Sequence, residues 1–124
     1  MLVGLHVLVV EDNADARDLF RTILEYAGGL VSVAPDAKQA LLLCQHIVPD
    51  VLVADIVMPE HDGFWLLQQL RAAGGRTAAI PAVAVTGQAE GTGRFAAAGF
   101  ATHLRKPVDP WELCRIVAHL GRRR

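Results

Sequence analysis

Cysteine is scarce in this chain: Cys44 and Cys114 are the only two, far apart and without metal-ligand spacing around either. A disulfide scaffold and a zinc centre are thereby excluded. Both cysteines fall on apolar helical stripes, as buried free thiols of a reducing compartment do. Long hydrophobic runs are missing too. None approaches the roughly 20 residues that cross a bilayer, and the opening Met1 to His6 has neither the basic region nor the cleavage site of a secretory signal, so a cytoplasmic location is expected. Neither sign of charge dominates. With 12 Lys and Arg against 13 Asp and Glu, the net charge is −1, so neither nucleic acid nor a membrane surface is an expected partner. No linker, internal repeat or low-complexity stretch breaks the chain.

What is present is apolar content in short, ordered blocks: 52% of the 124 residues are hydrophobic and 20% charged. That balance predicts one globular domain with a single core, residues 1–124. Leu5 to Val10 is a continuous apolar run, the mark of a strand covered on both faces. From Asn13 onward, Ala16, Leu19, Phe20, Ile23, Leu24 and Ala27 form a helical stripe that Gly28 and Gly29 end. Leu30 to Ala34 reads as a second strand. Asp36 and Gln39 then stand at capping-box spacing before the stripe Ala37, Ala40, Leu41 and Cys44, which Pro49 stops. Val51 to Ala54 is strand 3, Ile56 to Asp62 a loop, Gly63 to Ala73 a helix and Ala82 to Val85 strand 4. A weak, glycine-bearing helix over Gln88 to Ala98 and a short strand over Ala101 to Leu104 follow. Asp109, Pro110 and Glu112 then open a last helix on Leu113, Ile116, Val117 and Leu120. Five strands alternating with five helices predict an α/β fold: a doubly wound parallel sheet in a three-layer α/β/α sandwich.

Four of the strands run straight into polar residues suited to phosphoryl chemistry: Glu11 and Asp12, then Asp55, then Thr86, then Lys106. In a parallel sheet these ends share one edge, the edge at which open α/β folds bind ligands. Three carboxylates, a hydroxyl and an ammonium are thus expected in one shallow pocket. Taken singly, an acidic residue after a strand can be a helix cap, with Asp12 or Asn13 capping helix 1, and Lys106 can be a solvated loop residue.

Over nearly its whole length, about Leu5 to Leu120, the chain resembles the receiver domain of two-component response regulators. The resemblance rests on Val9-Val10-Glu11-Asp12-Asn13, on Asp55-Ile56-Val57-Met58-Pro59 followed by Asp62-Gly63, on Thr86 and on Lys106-Pro107. It implies the flavodoxin-like strand order 2-1-3-4-5, with Asp55 as phosphoacceptor from a histidine kinase or a histidine phosphotransfer protein. It also implies Mg²⁺ held by Asp12, Asp55 and the backbone carbonyl of Val57, with Glu11 reaching it through water. Lys106 and Thr86 are implied to contact phosphoryl oxygens. These roles suit the residue types, since Mg²⁺ takes hard oxygen ligands and a lysine ammonium is a compact point charge.

The resemblance further implies that a partner or a second copy docks on the face built from the fourth helix, fifth strand and fifth helix. His103 and Trp111 are the candidate residues there. His103 departs from the Tyr or Phe usual at its position, so it is either a modified switch or a partly exposed strand residue. Trp65, on the side of helix 3 opposite Leu66, Leu67 and Leu70, is expected to be exposed. A phosphorylation-independent docking module is the alternative function. A nucleotide-binding or hydrolytic enzyme is a weaker one, because no Walker glycine loop is present, no GxGxxG follows strand 1, and Val57 stands where a phosphohydrolase would need a second Asp. No output domain follows Leu120, so the chain is either a stand-alone regulator or a receiver from a longer protein.

Overall fold

The computed structural model describes residues 1–87 and 92–122. Five strands, β1 (His6–Val10), β2 (Leu30–Ala34), β3 (Val51–Asp55), β4 (Ala82–Thr86) and β5 (Thr102–Arg105), form one parallel sheet in the order β2-β1-β3-β4-β5. This is the expected order. Among the described residues, six helices connect and flank the strands: α1 (Ala14–Tyr26), α2 (Ala37–Cys44), α3 (Gly63–Ala72), α4 (Gly75–Ala78), α5 (Thr92–Ala98) and α6 (Pro110–Gly121). The single turn α4 lies where no helix was expected. Its four residues, Gly-Arg-Thr-Ala, are too short for any apolar period to register. Of the predicted helix over Gln88 to Ala98, residues 88–91 lie outside the described residues and Thr92–Ala98 is helical.

The sheet is buried on both sides, and successive strand residues serve opposite layers. Leu8, Val10, Leu52, Ala54, Ala82 and Ala84 face one core with Leu66, Leu67, Leu70 and Phe95 of α3 and α5. Val7, Val9, Val51, Val53, Val83 and Val85 face the other, with Phe20 and Leu24 of α1 and Leu113 and Val117 of α6. Because the three inner strands β1, β3 and β4 are apolar on both faces, their polar residues collect only at their ends, and that sets the position of the site.

Each longer helix is started by a side chain that accepts an amide hydrogen bond. Asn13 accepts from Ala16 N at 2.9 Å, Asp36 from Gln39 N at 2.8 Å, Asp62 from Trp65 N at 2.8 Å and Asp109 from Trp111 N at 3.0 Å. The cap of α1 is therefore Asn13. Asp12 is left to the pocket.

Candidate phosphoryl-transfer site

Glu11 follows β1, Asp55 ends β3, Thr86 ends β4 and Lys106 follows β5, so parallel pairing alone carries all four to the same sheet edge. Hydrogen bonds tie the ends together. Glu11 N donates to Ala34 O at 3.1 Å, Ile56 N to Val85 O at 3.1 Å and Lys106 N to Thr86 O at 2.8 Å. Among the described residues, Glu11, Asp55 and Thr86 are the buried polar ones, at 1%, 6% and 2% exposure. Burying two carboxylates together is costly without a counter-charge.

Lys106 supplies that charge. Its Nζ donates to Glu11 Oε1 at 3.2 Å and Oε2 at 3.3 Å, and to Asp55 Oδ2 at 3.4 Å. Burial alone would lower the ammonium's pKa, but the charges of Asp55 and Glu11 outweigh it and hold the pKa above its ordinary value. Glu11 responds in the opposite sense. Its burial, then its hydrogen bond to and repulsion from Asp55, push its carboxyl up from 4.5 to about 7, only partly offset by Lys106. Two largely buried acids and one ammonium leave excess negative charge, which is the condition for taking up a cation or a proton.

Glu11, Asp12 and Asp55 each offer a carboxylate oxygen, and the three oxygens lie within 4.8 Å of one another. Asp12 is exposed and the other two are buried, so the cluster opens to solvent on one side. A set of hard oxygen donors with an open side fits Mg²⁺, which keeps several of its waters. Val57, two residues past Asp55, is exposed.

The remaining candidates lie outside the cluster. His103 is on β5, half-buried, with its ring stacked on Phe95 of α5 at 4.6 Å between centroids. Trp111 is exposed, and the groove it lines runs between α6 and α1, beside Thr22, Ile23 and Tyr26. Trp65 is not exposed as expected. It is half-buried because the His61 ring covers it at 3.8 Å and 15° and because it packs against the α3 side of the core.

One contact at the site was not anticipated. Arg17 of α1 donates from Nη1 to the backbone carbonyl of Glu11 at 3.0 Å, bracing the peptide that joins Glu11 to Asp12. A basic residue one turn into a helix reads from sequence as ordinary surface charge, and only the crossing of α1 behind the loop gives it a target.

The response regulator receiver domain family matches residues 7–118. An uncharacterised 14.6 kDa protein of Leptolyngbya boryana is 47% identical over 94% of this chain and 89% of its own length. The response regulator Rre1 of Synechocystis is 33% identical over 97% of the chain but only 53% of its own length, so this chain spans about half of that relative. Among solved structures, the receiver domain of the sensor histidine kinase PA1611 from Pseudomonas aeruginosa, with a magnesium ion coordinated in its active-site cleft, matches with a TM-score of 0.86. It is 27% identical, over 96% of this chain and 98% of that one.

Proposed function

The chain belongs to the response regulator receiver family, and from that premise we propose that it accepts a phosphoryl group on Asp55 and so switches a signalling interaction. The observation that carries this reading is the Lys106 ammonium bridging two buried carboxylates, Glu11 and Asp55, beside a third at Asp12. An isolated acidic cluster would not need a lysine at its floor.

A carboxylate oxygen of Asp55 attacks the phosphorus of a phospho-histidine, supplied by a kinase or a histidine phosphotransfer protein. The P–O bond of an acyl phosphate forms as the P–N bond breaks, and the departing imidazole takes up a proton from solvent. Asp55 is aimed for this because it ends a buried strand and its Oδ2 is held by Lys106. As negative charge passes to the phosphoryl oxygens, Lys106 can exchange its Asp55 contact for one of them, and the Thr86 hydroxyl at the end of the neighbouring strand can donate to another. Asp12 and Asp55, with the carbonyl of Val57, would hold Mg²⁺ directly and Glu11 would hold it through water. When bound, the cation offsets repulsion between the attacking carboxylate and the phosphoryl oxygens. The magnesium in the receiver of PA1611 supports that assignment.

Intact mass after treatment with acetyl phosphate and Mg²⁺ tests the reading. The protein should gain one phosphoryl group and Asp55→Asn none. Equal labelling of Asp55→Asn would remove Asp55 from its role, and an unlabelled parent would remove the function.

A further inference from the structure

Between the end of β1 and the start of α1 lie only Glu11, Asp12 and Asn13, and the two outer residues of the three are held through their backbones. The Glu11 amide donates to Ala34 O of β2 at 3.1 Å, while the Glu11 carbonyl, already past the end of the strand, accepts from Arg17 Nη1 at 3.0 Å. Asn13 is held from the other side: its side chain accepts from Ala16 N at 2.9 Å and its carbonyl from Arg17 N at 2.9 Å. Asp12 stands between them, exposed. Among the described residues no hydrogen bond or ion pair holds the Asp12 carboxylate, so its direction is set by the backbone on either side.

Arg17 acts on both sides of Asp12. Helical side chains tilt toward the amino end of their helix, so a long side chain four residues past the cap Asn13 is laid back over the loop that enters α1. Arg17 is half-buried there. Two exposed carboxylates, Asp15 and Asp18, are close to it in sequence, but residues two before and one after do not share its side of a helix. Its guanidinium is given instead to a neutral carbonyl, as a charge-assisted bond from a planar and preorganised donor. The peptide so held is the one that joins Glu11 to Asp12. How firmly it is held matters for one cation more than another, because Mg²⁺ demands a near-ideal octahedron at short distances while Ca²⁺ accepts irregular ligand sets.

We infer that Arg17 is a positioning residue for the cation site: by holding the Glu11–Asp12 peptide from behind, it fixes the Asp12 carboxylate in the direction that Mg²⁺ requires, on the reading of Asp12 as a direct ligand proposed above. The charge of Arg17 and its hydrogen bond act in opposite senses. A guanidinium beside three carboxylates repels an arriving cation, whereas the bond to the Glu11 carbonyl keeps a ligand in place for it. The sign of the effect of removing Arg17 therefore tells which of the two governs.

Calorimetric titration of the unphosphorylated protein with Mg²⁺ and with Ca²⁺, well below the thermal midpoint, tests this. Arg17→Met keeps the apolar stem and removes both the charge and the donor. Its Kd for Mg²⁺ should rise about tenfold, the lower end of what partners behind metal ligands contribute, and its Kd for Ca²⁺ by less, so that the preference for Mg²⁺ narrows. Loss of a charge alone would tighten both cations, and loss of stability alone would move neither in protein that is still folded. In an Asp12→Asn background the same substitution should change the Mg²⁺ Kd by less than about twofold, while beside Glu11→Gln it should keep its full effect. A parent that binds Mg²⁺ and an Arg17→Met variant that binds it as tightly or more tightly overturn the positioning role and leave the metal assignment standing. A parent that takes up no Mg²⁺ overturns both. Equal weakening toward the two cations, or a full effect without the Asp12 carboxylate, overturns the route through Asp12.

Discussion

His103 and Phe95 lie ring over ring, 4.6 Å between centroids and 18° from parallel. The stack continues inward, since Phe95 is 5.6 Å from Phe64 on α3 and meets Phe100 edge-on at 6.3 Å, while the Arg94 guanidinium sits 4.2 Å over Phe64. A histidine on the last strand is thus joined through rings to α5 and α3. The half-buried imidazole has an aromatic partner on its covered side, which offsets part of what burying its polar ring costs.

Loss of that ring should loosen α5. Aromatic pairs contribute about 0.5–1.5 kcal/mol beyond their buried area, so His103→Ala should cost about 1–2 kcal/mol in denaturant unfolding. It should also speed hydrogen exchange over residues 93–98, and His103→Phe should keep both near the parent. Unchanged exchange in His103→Ala would show that the stack does not hold the helix.

Glu11 gives the metal-free protein a pH dependence whose sign is fixed. With its carboxyl raised from 4.5 to about 7, the folded state keeps a proton between those values that the unfolded chain has already released. Stability therefore falls as pH rises from about 4.5 to about 7 and levels off above. Denaturant midpoints measured in a chelating buffer should show that decline, and Glu11→Gln should flatten it. A parent curve that rises across this window would contradict the burial argument.

Asp12 and Glu11 should differ as cation ligands. Asp12 is exposed at the mouth, while Glu11 is buried and already engaged by Lys106 at 3.2 and 3.3 Å. In calorimetric titration with Mg²⁺, Asp12→Ala should lose more affinity than Glu11→Ala, with outer contacts contributing about 10- to 100-fold at most. Equal losses would remove the distinction between direct and water-mediated contact.

Gly63 should tolerate no side chain. A Cβ there would lie 2.7 Å from the carbonyl oxygen of Asp55 and 3.2 Å from Ile56 Cα, both of them backbone atoms that cannot rotate away. Gly63→Ala is therefore expected to destabilise the fold by about 1–3 kcal/mol. It should also slow phosphorylation from acetyl phosphate, because the residue it displaces is the acceptor. A variant with parental stability and labelling rate would show that the β3–α3 loop yields freely.

The sequence by itself determined the parallel sheet and which polar side chains meet at its carboxyl edge. Runs such as His6–Val10 and Val51–Asp55 are apolar on both faces, which demands a covered parallel sheet, and a parallel sheet carries the residues that end its strands to one edge whatever the details of packing. The placing of Glu11, Asp55, Thr86 and Lys106 at one edge was legible for that reason, and Asp36 and Asp109 were legible as caps because capping is a local matter of three residues. Contacts between distant segments were not legible. The reach of Arg17 to the Glu11 carbonyl, the cover of His61 over Trp65, the stack of His103 on Phe95 and the opening of Trp111 toward α1 each depend on how two elements cross. Helical period says which face a side chain occupies but not which neighbour that face meets, and that was decided only when the layers packed.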